Sequence, residues 1–315
     1  MITVSIVIVC MNNLNNLYPC LDSIKKYTTI SYETLVVAYL FSNENLQKLK
    51  LDYPWITIIE SNEIRGFSEN NNLALRLAEG RYCFVLNDDT KFDIPVIDQL
   101  VNSIEKVPDA VIMSPKTLFT DGRVQSCGRP PMTIFTYILS HLKLWNEQKV
   151  RSRFTNKKGI FQSYNVVGAA FLIKTSIFKE LGFLDETYFF CPEDIVLSTL
   201  ANQKGYKCYV DESVYLYHLE GSTAKRITMA TMPAREKGNI IFYSHNSIVK
   251  RYILTIIVTL IFYLKAIYWI INSINKDTHA EIMKRSYLNV LKAIYSSKTP
   301  KEIFIKIYSN SKIKL

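Results

Sequence analysis

Four short polar clusters interrupt otherwise apolar stretches of this 315-residue chain: "CMNN" at 10–13, "NDD" at 87–89, "PED" at 192–194 and "YHLEGS" at 217–222. The second is the most pointed chemically, because the apolar run "RYCFVL" stops abruptly on Asn87, Asp88 and Asp89. Carboxylates at the carboxyl end of a buried strand stand where α/β sheets bind ligands, so a metal or phosphate site is one reading. Asn and Asp also close strands as plain polar turns, and these residues alone favour that reading. "PED" is equally ambiguous. Pro and acids in a first helical turn suit the macrodipole and the unpaired N–H groups, which makes the cluster a good cap. A lone His218 is more often packed or solvated than a ligand.

The elements that would carry these clusters alternate strand and helix patterns. "TVSIVIVC" is a continuous apolar run suited to a buried parallel strand. Leu14, Leu17, Leu21 and Ile24 follow at spacings of three and four, one face of a helix. "TLVVAYL" reads as a second strand, "NLQKLKL" as a helix and "WITIIE" as a third strand. "SENNNLALRLAEG" has helix periodicity, with Ser68 as the expected cap and Gly80 as the stop, and "RYCFVL" is the fourth strand. Such a series predicts a parallel sheet covered on both faces, with right-handed crossovers. From Ile94 to Tyr164 the pattern is less regular, and "SPKTLFTDGRVQSCGRPPM" reads as a hairpin and loop over the sheet. Order returns with strand "YNVVGAAFLIK", helix "TSIFKELG" ending on Gly182, an aromatic loop, the helix opened by "PED" and strand "YKCYVD". His218 is expected in the loop that follows.

Composition is globular, with 48% hydrophobic and 21% charged residues, and no internal repeat is evident. Six scattered cysteines without a close pair read as reduced core thiols of a cytosolic protein. Four histidines without a nearby Cys or His partner exclude a zinc-finger spacing. "MITVSIVIVC" lacks a basic leader, so no signal peptide is expected. The net charge of +10 is uneven: residues 276–315 carry nine basic residues against three acids, +6 of the total, interleaved with Tyr287, Tyr295, Phe304 and Tyr308. Just before them, Tyr252 to Ile271 contains a single charge, Lys265, and is long enough to cross a membrane as a helix. Lys250 and Arg251 make the near flank basic too, which fits a positive-inside span poorly. The expectation is a helix lying in the cytoplasmic leaflet with the basic tail on anionic headgroups, and no nucleic-acid partner.

Taken together, the clusters resemble a known arrangement. "GFSENNNLALRLAEGRYCFVLNDDT" resembles the donor-site stretch of family 2 glycosyltransferases with the GT-A fold. "VVGAAFLIKTSIFKELGFLDETYFFCPEDIVLSTLANQKGYKCYVDESVYLYHLEGST" resembles the second half of the same family. The similarity runs from about Thr3 to Phe242 and is closest to rhamnosyltransferase-like bacterial enzymes that build cell-surface polysaccharides. It implies a GT-A type, Rossmann-like, mostly parallel α/β sheet with helices on both faces over residues 1–243, and a helical, basic, membrane-associating region over 244–315. It implies an inverting transferase that moves a sugar, rhamnose by resemblance, from a nucleoside diphosphate donor to a lipid-linked or growing surface glycan. The expected place is the cytoplasmic face of the bacterial inner membrane.

The resemblance also assigns residues. Asp89 maps to the acid that holds Mg2+ or Mn2+, a Lewis acid for the departing diphosphate, with Asn87 and Asp88 beside it. His218 maps to the histidine that completes the metal or pyrophosphate contacts. The base that takes the acceptor proton maps to the "ED" pair, with Asp194 expected as base and Glu193 in acceptor positioning. Gly168 and Ala169 would let backbone approach the sugar. Arg65, Gly66, Asn71 and Asn72 map to the donor pocket, and Cys10, Met11 and Asn12 to the loop lining the nucleobase. Two departures stand out. Ala38 and Tyr39 occupy the place after the second strand where the family carries a base-contacting acid, and Val196 replaces a further acid after "ED". They keep one alternative open, a catalytically silent nucleotide-sugar-binding subunit of a polysaccharide assembly complex. A dinucleotide-dependent oxidoreductase would need a Gly-rich turn after the first strand, and "CMNNLNN" has none.

Overall fold

The computed structural model describes residues 1–144, 157–219, 227–275 and 277–310. Glu220, Gly221 and Ser222 of the fourth cluster, and Lys276, Lys312 and Lys314 of the basic tail, lie outside the described residues.

Strand β1 (Val4–Met11) is the centre of a parallel half-sheet, flanked by β2 (Tyr32–Tyr39) and β4 (Tyr82–Asn87), with β3 (Thr57–Ser61) beyond β2. Helices α1 (Leu14–Tyr27), α2 (Asn43–Asp52) and α3 (Phe67–Leu75) make the crossovers. The alternation within β1 decides which face each side chain serves. Val4, Ile6 and Ile8 pack with Leu17, Leu21 and Ile24 of α1, while Val7 packs with Ala74 and Leu75 of α3. The first half is therefore parallel, with β1, β2 and β4 mostly buried and apolar as their sequences predict, while the edge strand β3 is partly exposed.

The second half is mixed. Helix α4 (Val96–Lys106) leads into β6 (Ala110–Leu118), and the sheet continues from β4 through β9 (Ala170–Lys174), β6 and β10 (Lys207–His218). Strand β9 runs antiparallel to both β4 and β6, whereas β10 is parallel to β6. Short strands β5 (Thr90–Lys91), β7 (Val124–Ser126) and β8 (Ile160–Ser163) finish the edges. Because β9 enters at the carboxyl end of β4, the Asn87 N–H donates to Ala169 O at 2.9 Å, and the Gly168–Ala169 turn lies beside the "NDD" cluster. Helices α5 (Ile134–His141), α6 (Thr175–Glu180) and α7 (Glu193–Gln203) complete this half. The stretch expected to be irregular thus holds α4, with Val96, Ile97, Leu100 and Ile104 buried at helical spacing, and the interior strand β6, which Pro115 had disguised.

Three local expectations are corrected. The cap of α3 is Gly66, whose N–H donates to Glu69 Oε2 at 2.8 Å, while Ser68 sits buried inside the first turn. Gly80 is not that helix's stop, because α3 ends at Leu75. A Cβ on Gly80 would meet Ser5 N at 2.5 Å, so it is a point of close approach to β1. His218 is the last residue of β10, paired with Thr90 of β5, rather than a loop residue. The cysteines are free, all buried except the half-buried Cys191.

The chain then forms α8 (Thr228–Ser244), α9 (Ile248–Asn272), α10 (Thr278–Ile294) and α11 (Pro300–Ser309). Tyr243 of α8, Leu254, Val258 and Phe262 of α9, and Val290 and Ile294 of α10 share one apolar cluster. The expected boundary after Tyr243 falls at the end of α8, although that helix packs on α9, α10 and α11.

Candidate active site

Strand β4 delivers Asn87, Asp88 and Asp89 to the carboxyl edge of the sheet, and the β5–β10 pairing brings His218 against them. Asp89 Oδ1 lies 3.2 Å from His218 Nε2, and both side chains are buried. Gln125, which had no sequence signal, fixes the imidazole: its Nε2 lies 3.4 Å from His218 O and its Oε1 lies 2.8 Å from His218 Nδ1. An amide oxygen only accepts, so Nδ1 carries the proton. The other ring nitrogen, Nε2, lies 3.4 Å from Asn87 Nδ2, a donor, and is bare. In that tautomer two acceptors, Nε2 and Asp89 Oδ1, face each other across 3.2 Å, and Oδ1 has no hydrogen-bond partner. A cation between the two acceptors resolves the conflict, so the residues fit a divalent metal. Among the described residues no three His, Cys, Asp or Glu side chains cluster as a full ligand set. Phosphate oxygens and water would complete the shell, as suits Mg2+ or Mn2+.

Asp88 turns the other way. Burial, opposed by a hydrogen bond with Cys10 and reinforced by the Asp89 charge, pushes its carboxyl up to about 7.

Across the cleft, α7 starts at Pro192 and presents the acid pair in its first turn. Asp194 accepts three hydrogen bonds: from Ile195 N–H at 2.8 Å on Oδ1, and from Gly168 N–H at 3.1 Å and Arg129 Nη1 at 3.3 Å on Oδ2. Glu193 is buried and its Oε2 has no partner. Burial first, then the Asp194 charge, raises its pKa well above the carboxylate range. Neighbours in sequence thus have opposite environments. Asp194 is bonded by three donors, and Glu193 is pushed toward its protonated form.

His218 and the acid pair open on one cleft of about 200 Å³, where Asn87 and His218 face Gly168, Glu193 and Asp194. A second cleft of about 210 Å³ joins it along the sheet edge, sharing Phe67, Asn87 and Phe190 as walls. Met11, Tyr39, Arg65, Gly66, Asp88 and Asp89 line the sheet side of that second cleft. A 480 Å³ groove between α10 and α11 is larger, but it is lined by Lys and Arg and touches none of these carboxylates. The two sheet-edge clefts hold the candidate carboxylates.

Residues 5–182, more than half of the chain, match the model of glycosyl transferase family 2. The chain belongs to that family. The transferase is 24% identical over 196 residues to the O-antigen biosynthesis protein RfbC of Myxococcus xanthus, a match covering 61% of this chain and 14% of that protein. Two solved structures share its fold. One is GalNAc-T7 with UDP, GalNAc and Mn2+, with TM-score 0.55, 18% identity, and 74% of this chain and 51% of that one covered. The other is the mannosyltransferase PcManGT of Pyrobaculum calidifontis with GDP-Man and Mn2+, with TM-score 0.53, 15% identity, and 94% and 88% covered. At these identities they establish the fold alone, which is GT-A.

The transferase brings most, not all, of the expected residues to the clefts. Met11, Arg65, Gly66, Asn87, Asp88, Asp89, Gly168, Ala169, Glu193, Asp194 and His218 line one or both. Cys10 is fully buried beneath them, with Sγ against Asn13 O. Asn12 turns away, its Oδ1 accepting from Ser42 N–H and Asn45 Nδ2 to hold the start of α2. Asn72 faces the opposite side of α3 and binds Leu184 O and Glu186, and Asn71 donates to Phe67 O within its own helix. The asparagine on the cleft is Asn70, fixed by Ser61 and Arg65 O. Rotation by 100° per residue separates the three.

Proposed function

We propose that the transferase moves a sugar from a nucleoside diphosphate donor to a glycan acceptor with inversion, using Asp194 as base. The observation that carries this reading is that His218, which contacts Asp89, lines the same cleft as Asp194, while Asp89 lines the cleft adjoining it. A bound Mg2+ or Mn2+, held by Asp89 and His218, would neutralise charge on the leaving diphosphate. Both structural neighbours were solved with Mn2+ and a nucleotide or nucleotide sugar, which supports that donor class. Asp194 takes the acceptor hydroxyl proton, the oxygen attacks the anomeric carbon, and the bond from that carbon to the diphosphate breaks. Asp194 suits the task because three donors orient its carboxylate at the cleft, whereas burial pushes Glu193 toward its protonated form, which cannot accept a proton. Arg129, bonded to Asp194, orients that carboxylate.

We propose a lipid-linked or surface glycan as acceptor and rhamnose as the sugar, on the sequence resemblance and on the relative named for O-antigen biosynthesis. Work at the cytoplasmic leaflet is supported by α9, a helix of 25 residues that buries Leu254, Val258, Ile261, Phe262 and Ala266 on one face. Its opposite face exposes Tyr252, Ile256, Leu260, Tyr263, Ile267 and Ile271 at helical spacing. Phe135 and Leu142, at the ends of the neighbouring α5, are exposed as well. A helix committed to protein along one face and apolar along the other is suited to lying in the interface rather than crossing it.

Thermal stabilisation by UDP, GDP and dTDP, each with and without Mn2+, tests the donor site by mass action. The wild type should show a Mn2+-dependent gain with at least one nucleotide, and Asp89→Asn should lose the Mn2+-dependent part. Equal gains in both proteins would refute the metal assignment.

A further inference from the structure

We infer that the groove between α10 and α11 is a headgroup site, taking the phosphate of one anionic membrane phospholipid. The inference rests on the leaflet reading above and adds to it a defined polar contact, separate from the apolar face of α9.

Helices α10 and α11 both pack on α8 and leave between them a groove of about 480 Å³, within the roughly 300–1,000 Å³ of ligand pockets. Its floor is apolar, with Ala293 and Ile303 buried and Leu288 and Ile307 half-buried. Its rim is cationic: Arg285 and Lys292 from α10, Lys298 from the turn, and Lys306 from α11. Among the described residues no carboxylate and no aromatic ring lines it. An amphipathic anion fits such a groove, whereas a nucleotide finds no ring to stack on.

The four cations differ in how far they are already neutralised. Arg285 is paired with Glu281 at 2.8 Å, and Lys298 acts on Glu302, whose carboxylate caps α11. Lys292 and Lys306 are exposed, and among the described residues neither has an ion-pair partner. Like charges around one groove favour an anion between them. The helix end that would oppose an anion is also covered. Carbonyls at a helix C-terminus carry partial negative charge, and at the end of α10 Lys237 Nζ donates to Ile294 O at 3.2 Å and to Ser296 O at 2.6 Å. Lys292 and Lys298 are thus left to the groove.

The groove borders the face of α9 suited to the leaflet. Tyr295, on the same helix end as Lys292 and itself exposed, shares a hydrogen bond of 2.8 Å with Thr259 of α9. Thr259 sits between Ile256 and Tyr263, both on the exposed apolar face. A lipid with its chains along that face places its phosphate among the groove's lysines, as basic pockets between helices do with phospholipid headgroups.

The test titrates the full-length protein, held in a nonionic detergent, with short-chain phosphatidylglycerol, short-chain phosphatidylcholine and inorganic phosphate, and reads Kd by calorimetry. Phosphatidylglycerol should bind at one saturable site, roughly tenfold or more tighter than either of the others. Lys292→Gln with Lys306→Gln should weaken it roughly thirtyfold, about fivefold per lysine. Lys250→Gln with Arg251→Gln removes the same charge from the exposed start of α9, outside the groove, and should leave Kd near wild type. All four side chains are exposed, so both double variants should keep the wild-type melting temperature. An equal loss in the two double variants would overturn the inference in favour of diffuse attraction. Inorganic phosphate bound as tightly as the lipid would overturn it in favour of a free anion. Pelleting with phosphatidylcholine vesicles tests the leaflet reading apart, because it depends on α9. A wild type that pellets with no vesicle refutes that reading, whereas one that pellets yet binds both lipids equally overturns the inference alone.

Discussion

Replacing Glu193 by Gln should stabilise the protein at alkaline pH and leave it unchanged at acid pH. Glu193 is buried with Oε2 unpartnered, and burial followed by the Asp194 charge raises its pKa in the folded state. An unfolded Glu titrates near 4.3. The folded protein therefore favours the protonated carboxyl. The stability this contributes is fully present below about pH 4.3 and is lost as pH rises through the raised folded value. Every tenfold by which the fold weakens this acid makes the charged form about 1.4 kcal/mol less compatible with the native state. Unfolding entropy near 2.1 cal/mol/K per residue gives roughly 0.7 kcal/mol per degree for a chain of 315 residues that melts as one unit. A tenfold weaker acid thus costs about 2 °C of melting temperature once ionised, and a still weaker one proportionately more. Differential scanning calorimetry at pH 3.5 and pH 9 on wild type and Glu193→Gln measures it. The variant should melt at least about 2 °C above wild type at pH 9 and within error of it at pH 3.5, below the unfolded value. An equal gain at both pH values would show that packing, not ionisation, separates the two, and a loss at pH 9 would show that Glu193 is charged and paired.

Gly66→Ala should destabilise by about 1–3 kcal/mol, the usual penalty of overpacking, because its Cβ would meet Phe189 O at 2.5 Å. Calorimetry reads the loss, and a wild-type melting temperature would mean that the 189 loop yields freely. Leu260→Lys together with Leu264→Lys, both on the exposed side of α9, should move the protein from the membrane pellet toward the supernatant without lowering its melting temperature. High salt alone should not release the wild type, since it screens charge and leaves apolar burial intact. Unchanged pelleting of the double variant would remove the α9 face from the account.

The parts legible in sequence were those fixed by local pattern. Continuous apolar runs mark β1 and β4, and parallel pairing then obliges Met11 and Asn87 to finish at one edge. The acids of "PED" mark a helix start, and α7 begins there. What stayed hidden depends on rotation or on distant chain. Three consecutive asparagines look alike in sequence, yet only Asn70 faces the cleft, because the helix turns Asn72 toward Leu184. Gln125 meets His218 across 93 positions and Arg129 meets Asp194 across 65, and neither sits in a periodic pattern. Phe304 looked like an apolar anchor of a basic tail, and the packing of α11 buries it against Phe189 at the edge of the second cleft.

The central claim is that Asp194 is the base of a site whose other end holds the donor. Release of nucleoside diphosphate from a panel of nucleotide sugars, with bacterial membrane glycolipid as acceptor, tests it when wild type and Asp194→Asn are compared beside their nucleotide affinities. Loss of a general base predicts turnover lower by about 10²–10⁴-fold in Asp194→Asn, with Kd for the nucleoside diphosphate near wild type. Wild-type turnover in Asp194→Asn would contradict the account.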